Sequence, residues 1–321
     1  MVASLFWFAA GIVLLALGGD SLVKAASGLA RRAGLSPFAT GLVLVAFATS
    51  VPELAVNLRA MWIGDHALAL GNAVGSNIAN FGLTLGAAAL AAPLLIRWKA
   101  LPPLLVCLVV ATLATILLGQ DGQLTRFEGC ILLAAFVVVL GFAWAFGRRQ
   151  PELRNTFSGF ANTSSDTALN LVRFAIAAAL LFFGAKWAVQ GVVGVPGASS
   201  GLAHALGMES LLGGLLLVAI GTALPEMAAA IAAARRGQGD VVAGHVIGSS
   251  LFNLLVIVGG MAAVRGVTMP ASFVRFELPA ALVFAALLLP MLRGDLRISR
   301  AEGGVLLLAF LAWVGFELLL A

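Results

Sequence analysis

The apolar residues of this chain fall in runs too long for a water-soluble fold. Ile131–Phe146 contains no charged side chain, and Val305–Leu320 contains one, Glu317. Only 10% of the 321 residues are charged and 61% are apolar, with a mean hydropathy of +1.07. A soluble domain is about 25% charged, so a soluble enzyme is excluded. Inside a bilayer only helices and closed barrels satisfy their backbone polar groups. A barrel would alternate apolar and polar residues in strands of about ten, and these runs do not alternate. The fold class expected is an all-α polytopic membrane protein.

A spanning helix takes about 20 mostly apolar residues. Ten segments qualify: 3–23, 38–62, 69–92, 100–118, 127–147, 169–193, 210–234, 241–264, 273–292 and 302–320. The polar stretch Gly147–Thr167 divides them into two sets of five, giving repeats at 1–147 and 169–321 joined by a linker at 148–168. The first run, Leu5–Leu17, lacks the basic residues that precede the apolar core of a secretion signal, its first cation being Lys24, so a span is expected there. Cations in connections sort by parity. Twelve (Arg31, Arg32, Arg97, Lys99, Arg148, Arg149, Arg154, Arg235, Arg236, Arg293, Arg297, Arg300) lie in odd-numbered connections, and three (Arg126, Arg265, Arg275) in even ones. The positive-inside rule then puts the odd connections and the linker in the cytoplasm and both termini outside. The net charge of +5 follows from these loops and calls for no nucleic acid. Cys107 and Cys130 read as packing residues, and the histidines have no metal-ligand spacing.

The two halves repeat one another at an offset of 173 residues. Ser27-Gly28-Leu29-Ala30 returns as Ser200-Gly201-Leu202-Ala203; Thr49, Pro52 and Glu53 return as Thr222, Pro225 and Glu226. Gly71, Gly75, Ser76 and Asn80 return as Gly244, Gly248, Ser249 and Asn253. Five helices is an odd number, so the copies must cross the membrane in opposite directions. Inverted repeats with interrupted helices mark secondary transporters, whose site lies at the midplane between the repeats.

Glu53 and Glu226 fall near the middle of their segments, where an ionised side chain costs about 2.5 kcal/mol or more and marks a functional site by default. The twelve other acids are expected in loops or near helix ends. Pro52 and Pro225 remove one N–H each and loosen carbonyls near Ala46–Ala48 and Ala219–Gly221. Thr49 and Glu53 share a helix face, as do Thr222 and Glu226, Ser76 and Asn80, and Ser249 and Asn253. Taken singly, a Ser, Thr or Asn in an apolar helix ordinarily joins helices; the recurrence of the whole set favours a ligand role. An all-oxygen set with two carboxylates suits a hard cation, one Ca²⁺ or two Na⁺. The small residues at Gly71/Gly75 and Gly244/Gly248 let helices approach closely. His245 is expected at a helix start facing solvent, and Asp20 and Lys24 are expected to pair.

At these motifs, residues 41–53 with 71–80 and residues 221–226 with 244–253, the chain resembles the sodium/calcium exchanger family of the cation/calcium exchanger superfamily, in its short prokaryotic form. The resemblance implies ten helices, a site built by the second, third, seventh and eighth, and alternating access by sliding of the first and sixth. It implies Glu53 and Glu226 as shared carboxylate ligands, with Thr49, Ser50, Ser76, Asn80, Thr222 and Ser249 as further ligands and backbone carbonyls from Ala46 and Ala219. Asn253, at the position matching Asn80, is carried as a ligand although some members hold Asp there. Ala223 stands opposite Ser50 and Ser250 opposite Asn77.

The function expected is a Na⁺/Ca²⁺ antiporter of a prokaryotic plasma membrane, with the two ions as cargo in a lipid bilayer and no cofactor. A proton- or potassium-coupled antiporter of the same fold is the alternative. An intramembrane hydrolase using both glutamates is more remote, because acid/base catalysis needs carboxylates in unlike surroundings, and these surroundings are nearly the same. A channel would lack coupling between opposing gradients.

Overall fold

The computed structural model describes residues 1–33, 50–147, 164, 166–195, 199–293 and 296–320. Its principal helices are α1 (Val2–Arg32), α2 (Val51–Trp62), α3 (His66–Ala91), α4 (Leu101–Leu118) and α5 (Arg126–Gly147). They continue with α6 (Thr167–Val193), α7 (Ser210–Arg235), α8 (Gly239–Arg265), α9 (Phe273–Glu277 running on as Leu278–Arg293) and α10 (Arg300–Leu320). Among the described residues, 9 helices are long and apolar enough to cross a membrane. The segment expected at 38–62 is described only from Ser50, so Thr49 and Ala46 lie outside the described residues. α1 runs past the expected end at 23, which puts Lys24 on the helix, 2.6 Å from Asp20 as expected.

Local chemistry sets the helix ends. Asp65 accepts from Leu68 N at the start of α3, and Asp166 accepts from Ala168 N and Leu169 N at the start of α6. Reciprocal capping boxes start α5 and α10. Thr125 N donates to Glu128 while Glu128 N donates to the Thr125 hydroxyl, and Ser299 and Glu302 repeat the arrangement.

Three two-residue ladders tie loops together: β1 (Leu94–Leu95) with β6 (Arg297–Ile298), β2 (Gln123–Leu124) with β5 (Val267–Thr268), and β3 (Gly194–Val195) with β4 (Ser199–Ser200). In the first, Leu94 faces Ile298; in the second, Val267 faces Leu124. Val267 is the repeat counterpart of Leu94, so each half contributes the same strand to a different ladder.

Two α-helices change to a wider π turn at matching points, Asn80–Leu85 within α3 and Asn253–Val258 within α8. Such turns cluster at functional sites. These two helices form the centre: 83% and 72% of their apolar stretches are buried, against 22–44% in the other spans. The outer helices show large apolar side chains outward, among them Val138, Phe182 and Leu308, a surface that only lipid or another apolar partner covers.

α1 packs along α6 over most of its length. A Cβ on Gly11 would collide with the Ala188 backbone, and one on Gly184 would lie 2.9 Å from Leu15 N, so small residues set that separation. The same holds between α3 and α7. A side chain at Gly71 would strike the Leu211 carbonyl, and one at Gly75 the Leu215 carbonyl, as the small-residue spacing implied.

Candidate cation site

Glu53 is 2% exposed and its Oε2 has no hydrogen-bond partner. It sits in the first turn of α2, just after Pro52. The Thr222 hydroxyl lies beside its carboxyl, and Glu226 is within electrostatic reach. Glu226 Oε1 is also buried without a partner. Two acceptors left open at the centre of the helical bundle leave an oxygen-lined space.

The second-half residues are held by α7 and α8. Thr222 donates its hydroxyl to the Val218 and Ala219 carbonyls, at 3.2 Å each. The hydroxyl oxygen keeps its lone pairs for an ion, while the Ala219 carbonyl already accepts one bond. Pro225 lies inside α7, in the turn following Thr222; its missing N–H leaves the preceding turn one donor short. Ser249 is 1% exposed and lies 3.4 Å from His245 Nδ1.

The first-half residues are buried on α2 and α3. Ser50 is 1% exposed with an unpartnered Oγ, and Asn80 is 2% exposed with an unpartnered Oδ1. Ser76 donates to Asn72 Oδ1 at 3.5 Å. Asn253 donates to Asn77 Oδ1 at 3.1 Å, and its own Oδ1 remains open. Asn77 in turn donates to the Ser250 carbonyl at 3.1 Å, so it bridges α3 and α8 directly.

His245 differs from expectation. It sits in the second turn of α8 and is largely covered rather than facing solvent at the helix start, with Nε2 3.4 Å from Glu226 Oε2. With Nε2 carrying a proton toward the carboxylate, Nδ1 accepts from Ser249. Its repeat counterpart is Asn72, which serves Ser76 in the same way but leaves its Nδ2 open. Three further polar residues join the buried set: Asn57, Asn72 and Asn77. Asn57 is one helical turn beyond Glu53 and has both amide atoms unpartnered. Its i, i+4 position on an apolar helix was the available signal.

A cavity of about 470 Å³ reaches the site from one end of the bundle. Arg236 and Gln238 stand at its mouth, while Pro52, Thr222, Pro225 and Glu226 line its deep part. Glu53 does not line it, so the two carboxylates differ: Glu226 faces the cavity and Glu53 is sealed behind it. α1 forms one wall. Gly19 lies against the Pro52 ring, and Phe8 and Ile12 cover Gly221.

A sequence profile described as "Sodium/calcium exchanger protein" matches residues 3–145 and again residues 169–319. The chain belongs to the sodium/calcium exchanger family. It is 35% identical to the putative antiporter CaxA of Alkalimonas amylolytica over 329 residues, covering 100% of this chain and 99% of that protein. It is 28% identical to the sodium/calcium exchanger MaX1 of Methanosarcina acetivorans, covering 95% of each. Among solved structures it is similar to the sodium-calcium exchanger NCX_Mj soaked with Na⁺ and Sr²⁺, at a TM-score of 0.65 and 25% identity, covering 98% of both chains. The family and its fold are those of membrane transporters, exchangers and antiporters rather than enzymes.

Proposed function

We propose that this exchanger-family protein carries Na⁺ and Ca²⁺ in opposite directions through one site held by Glu53 and Glu226. The observation that carries the reading is the buried Glu53 and the partly buried Glu226, each with an open carboxylate oxygen, with Glu226 lining a cavity that reaches it. Ser50, Ser76, Asn80, Thr222 and Ser249 complete an all-oxygen set, with Thr49, Ala46 and Ala219 adding a hydroxyl and two carbonyls. Asn253 takes part through its open Oδ1 and also ties α8 to α3. Either one Ca²⁺ or Na⁺ ions neutralise the carboxylates, so occupancy by one species excludes the other. The unoccupied site, with two charges in a low-dielectric setting, is too costly to carry across.

Two inverted five-helix repeats, 1–147 and 169–321 with a linker at 148–168, support alternating access. Three observations favour that plan: the double profile match, the paired π turns at Asn80 and Asn253, and the matching strands β1 and β5, which pair with β6 and β2. The cavity mouth at Arg236 belongs to a cation-rich connection assigned to the cytoplasm, so the conformation is inward-open, with both termini outside a prokaryotic plasma membrane.

In proteoliposomes, Glu53→Gln or Glu226→Gln is expected to abolish sodium-driven calcium uptake; unchanged uptake would sink the site. Sodium, potassium and proton gradients imposed in turn identify the driving ion. Calcium uptake driven by a pH gradient alone, without sodium, would replace Na⁺ by H⁺ as the coupled ion.

A further inference from the structure

The acids other than Glu53 and Glu226 are expected in loops or near helix ends; Glu277 and Glu317 do lie near helix ends, but both are buried there. Glu277 ends the π turn that opens α9 and is 5% exposed; Glu317 lies in the last turns of α10 and is 6% exposed. Their sequence positions near segment ends concealed this, because burial there depends on which neighbouring helix end covers them.

Both glutamates line one cavity of about 270 Å³, with Glu209 and Ser272 at its exposed lip and Leu211 and Leu215 of α7 along its wall. No Lys, Arg or His lines it. Glu277 Oε2 and Glu317 Oε1 are each buried without a hydrogen-bond partner, and among the described residues neither carboxylate forms an ion pair. A buried carboxylate without an ion-pair partner is held neutral by a proton or compensated by a bound cation. The donors beside the buried pair are oxygen: the two carboxylates and the Ser272 hydroxyl. That set selects a hard cation, and the charge of the buried pair matches a divalent one. A water molecule occupies about 30 Å³ in the liquid, so the cavity accommodates such an ion with several of its waters.

We propose that Glu277 and Glu317, with Ser272 at the lip, form a second binding site for a hard divalent cation of the Ca²⁺ class. This site is separate from the central one. Glu209 immediately precedes α7, whereas the central cavity opens beside Arg236 at the other end of that helix, so the two sites face opposite ends of the bundle. The Leu211 and Leu215 carbonyls abut Gly71 and Gly75 of α3, while their residues wall the acidic cavity. A bound ion therefore joins the start of α7 to α9 and α10 at the end of the bundle opposite Arg236.

The test is equilibrium binding of radioactive calcium to the purified full chain. The E53Q/E226Q protein is expected to retain one calcium per chain, and the further substitutions E277Q/E317Q are expected to remove it. Absence of retained binding in E53Q/E226Q, or retained binding indifferent to E277Q/E317Q, would overturn the proposal. Should E277Q/E317Q fail to fold, Ser272→Lys puts an ammonium at the exposed lip instead. It is expected to weaken the retained binding at least tenfold, and unchanged affinity would again count against the site. The central reading is judged by exchange in otherwise unaltered protein carrying E53Q or E226Q, so either proposal can fail without the other.

Discussion

His245 shows what one side chain does to a duplicated site. Where the first half has Asn72 with an open amide nitrogen, the second half places an imidazole 3.4 Å from Glu226. In the proposed site the imidazole would compete with a cation for that carboxylate oxygen. His245→Asn, which copies the first half, is expected to tighten calcium binding by up to about tenfold, the equivalent of a weak hydrogen bond to a charged group; isothermal titration measures it, and weaker binding would make His245 a support for the site instead. Asn77 acts differently. It accepts from Asn253 and donates to the Ser250 carbonyl, and Asn77→Ala leaves the Asn253 amide buried without its acceptor and removes the link between α3 and α8. A loss of about 2 kcal/mol is expected, read as a lower melting temperature in detergent. Glu53, Glu226 and the hydroxyls around them were legible in the sequence because the repeat printed them twice. His245, Asn57 and the Asn77 bridge were not, because their roles depend on which side chain faces them from another helix.

For whole elements the decisive quantity is how closely helices approach. α3 touches α7 through Gly71 and Gly75, where a side chain would meet a backbone carbonyl rather than a yielding side chain. Gly75→Val is therefore expected to destabilise by about 1–3 kcal/mol and to impair exchange. Gly141 has open space around its missing Cβ, so Gly141→Ala is expected to be neutral or slightly stabilising, since alanine is the better helix former. Thermal unfolding of the two variants side by side checks the contrast; equal shifts would dissociate the glycines of α3 from packing. Helix existence was legible from apolar run lengths, and most ends fell within a few residues of expectation. The π turns at Asn80 and Asn253 were not, because a single widened turn leaves the apolar pattern nearly unchanged.

At the scale of the whole molecule, a cavity walled by α1, α7 and α8 leads to Glu226 from beside Arg236. With Cys107 and Cys130 replaced, Ala233→Cys on the cavity wall is expected to react with a membrane-impermeant thiol reagent from the Arg236 side alone. Reaction from the opposite side only would mean that the membrane-embedded protein rests in the other conformation. Adding this probe to E53Q/E226Q separates access from ion binding, because the cavity is shaped by helices and persists without the carboxylates.

The sequence by itself determined that the chain is a helical membrane protein, that its halves repeat, and that Glu53 and Glu226 are exceptional. Run length, composition and a fixed offset are properties of one dimension and survive without knowledge of neighbours. The tertiary structure alone decided that Glu226 faces an open cavity while Glu53 is sealed, that His245 rests on Glu226, and that Glu277 and Glu317 meet in a second acidic cavity. Burial and charge proximity arise between helices distant in sequence. Two carboxylates 40 residues apart, each near the end of an apolar segment, look solvated until the packing of α7, α9 and α10 closes around them.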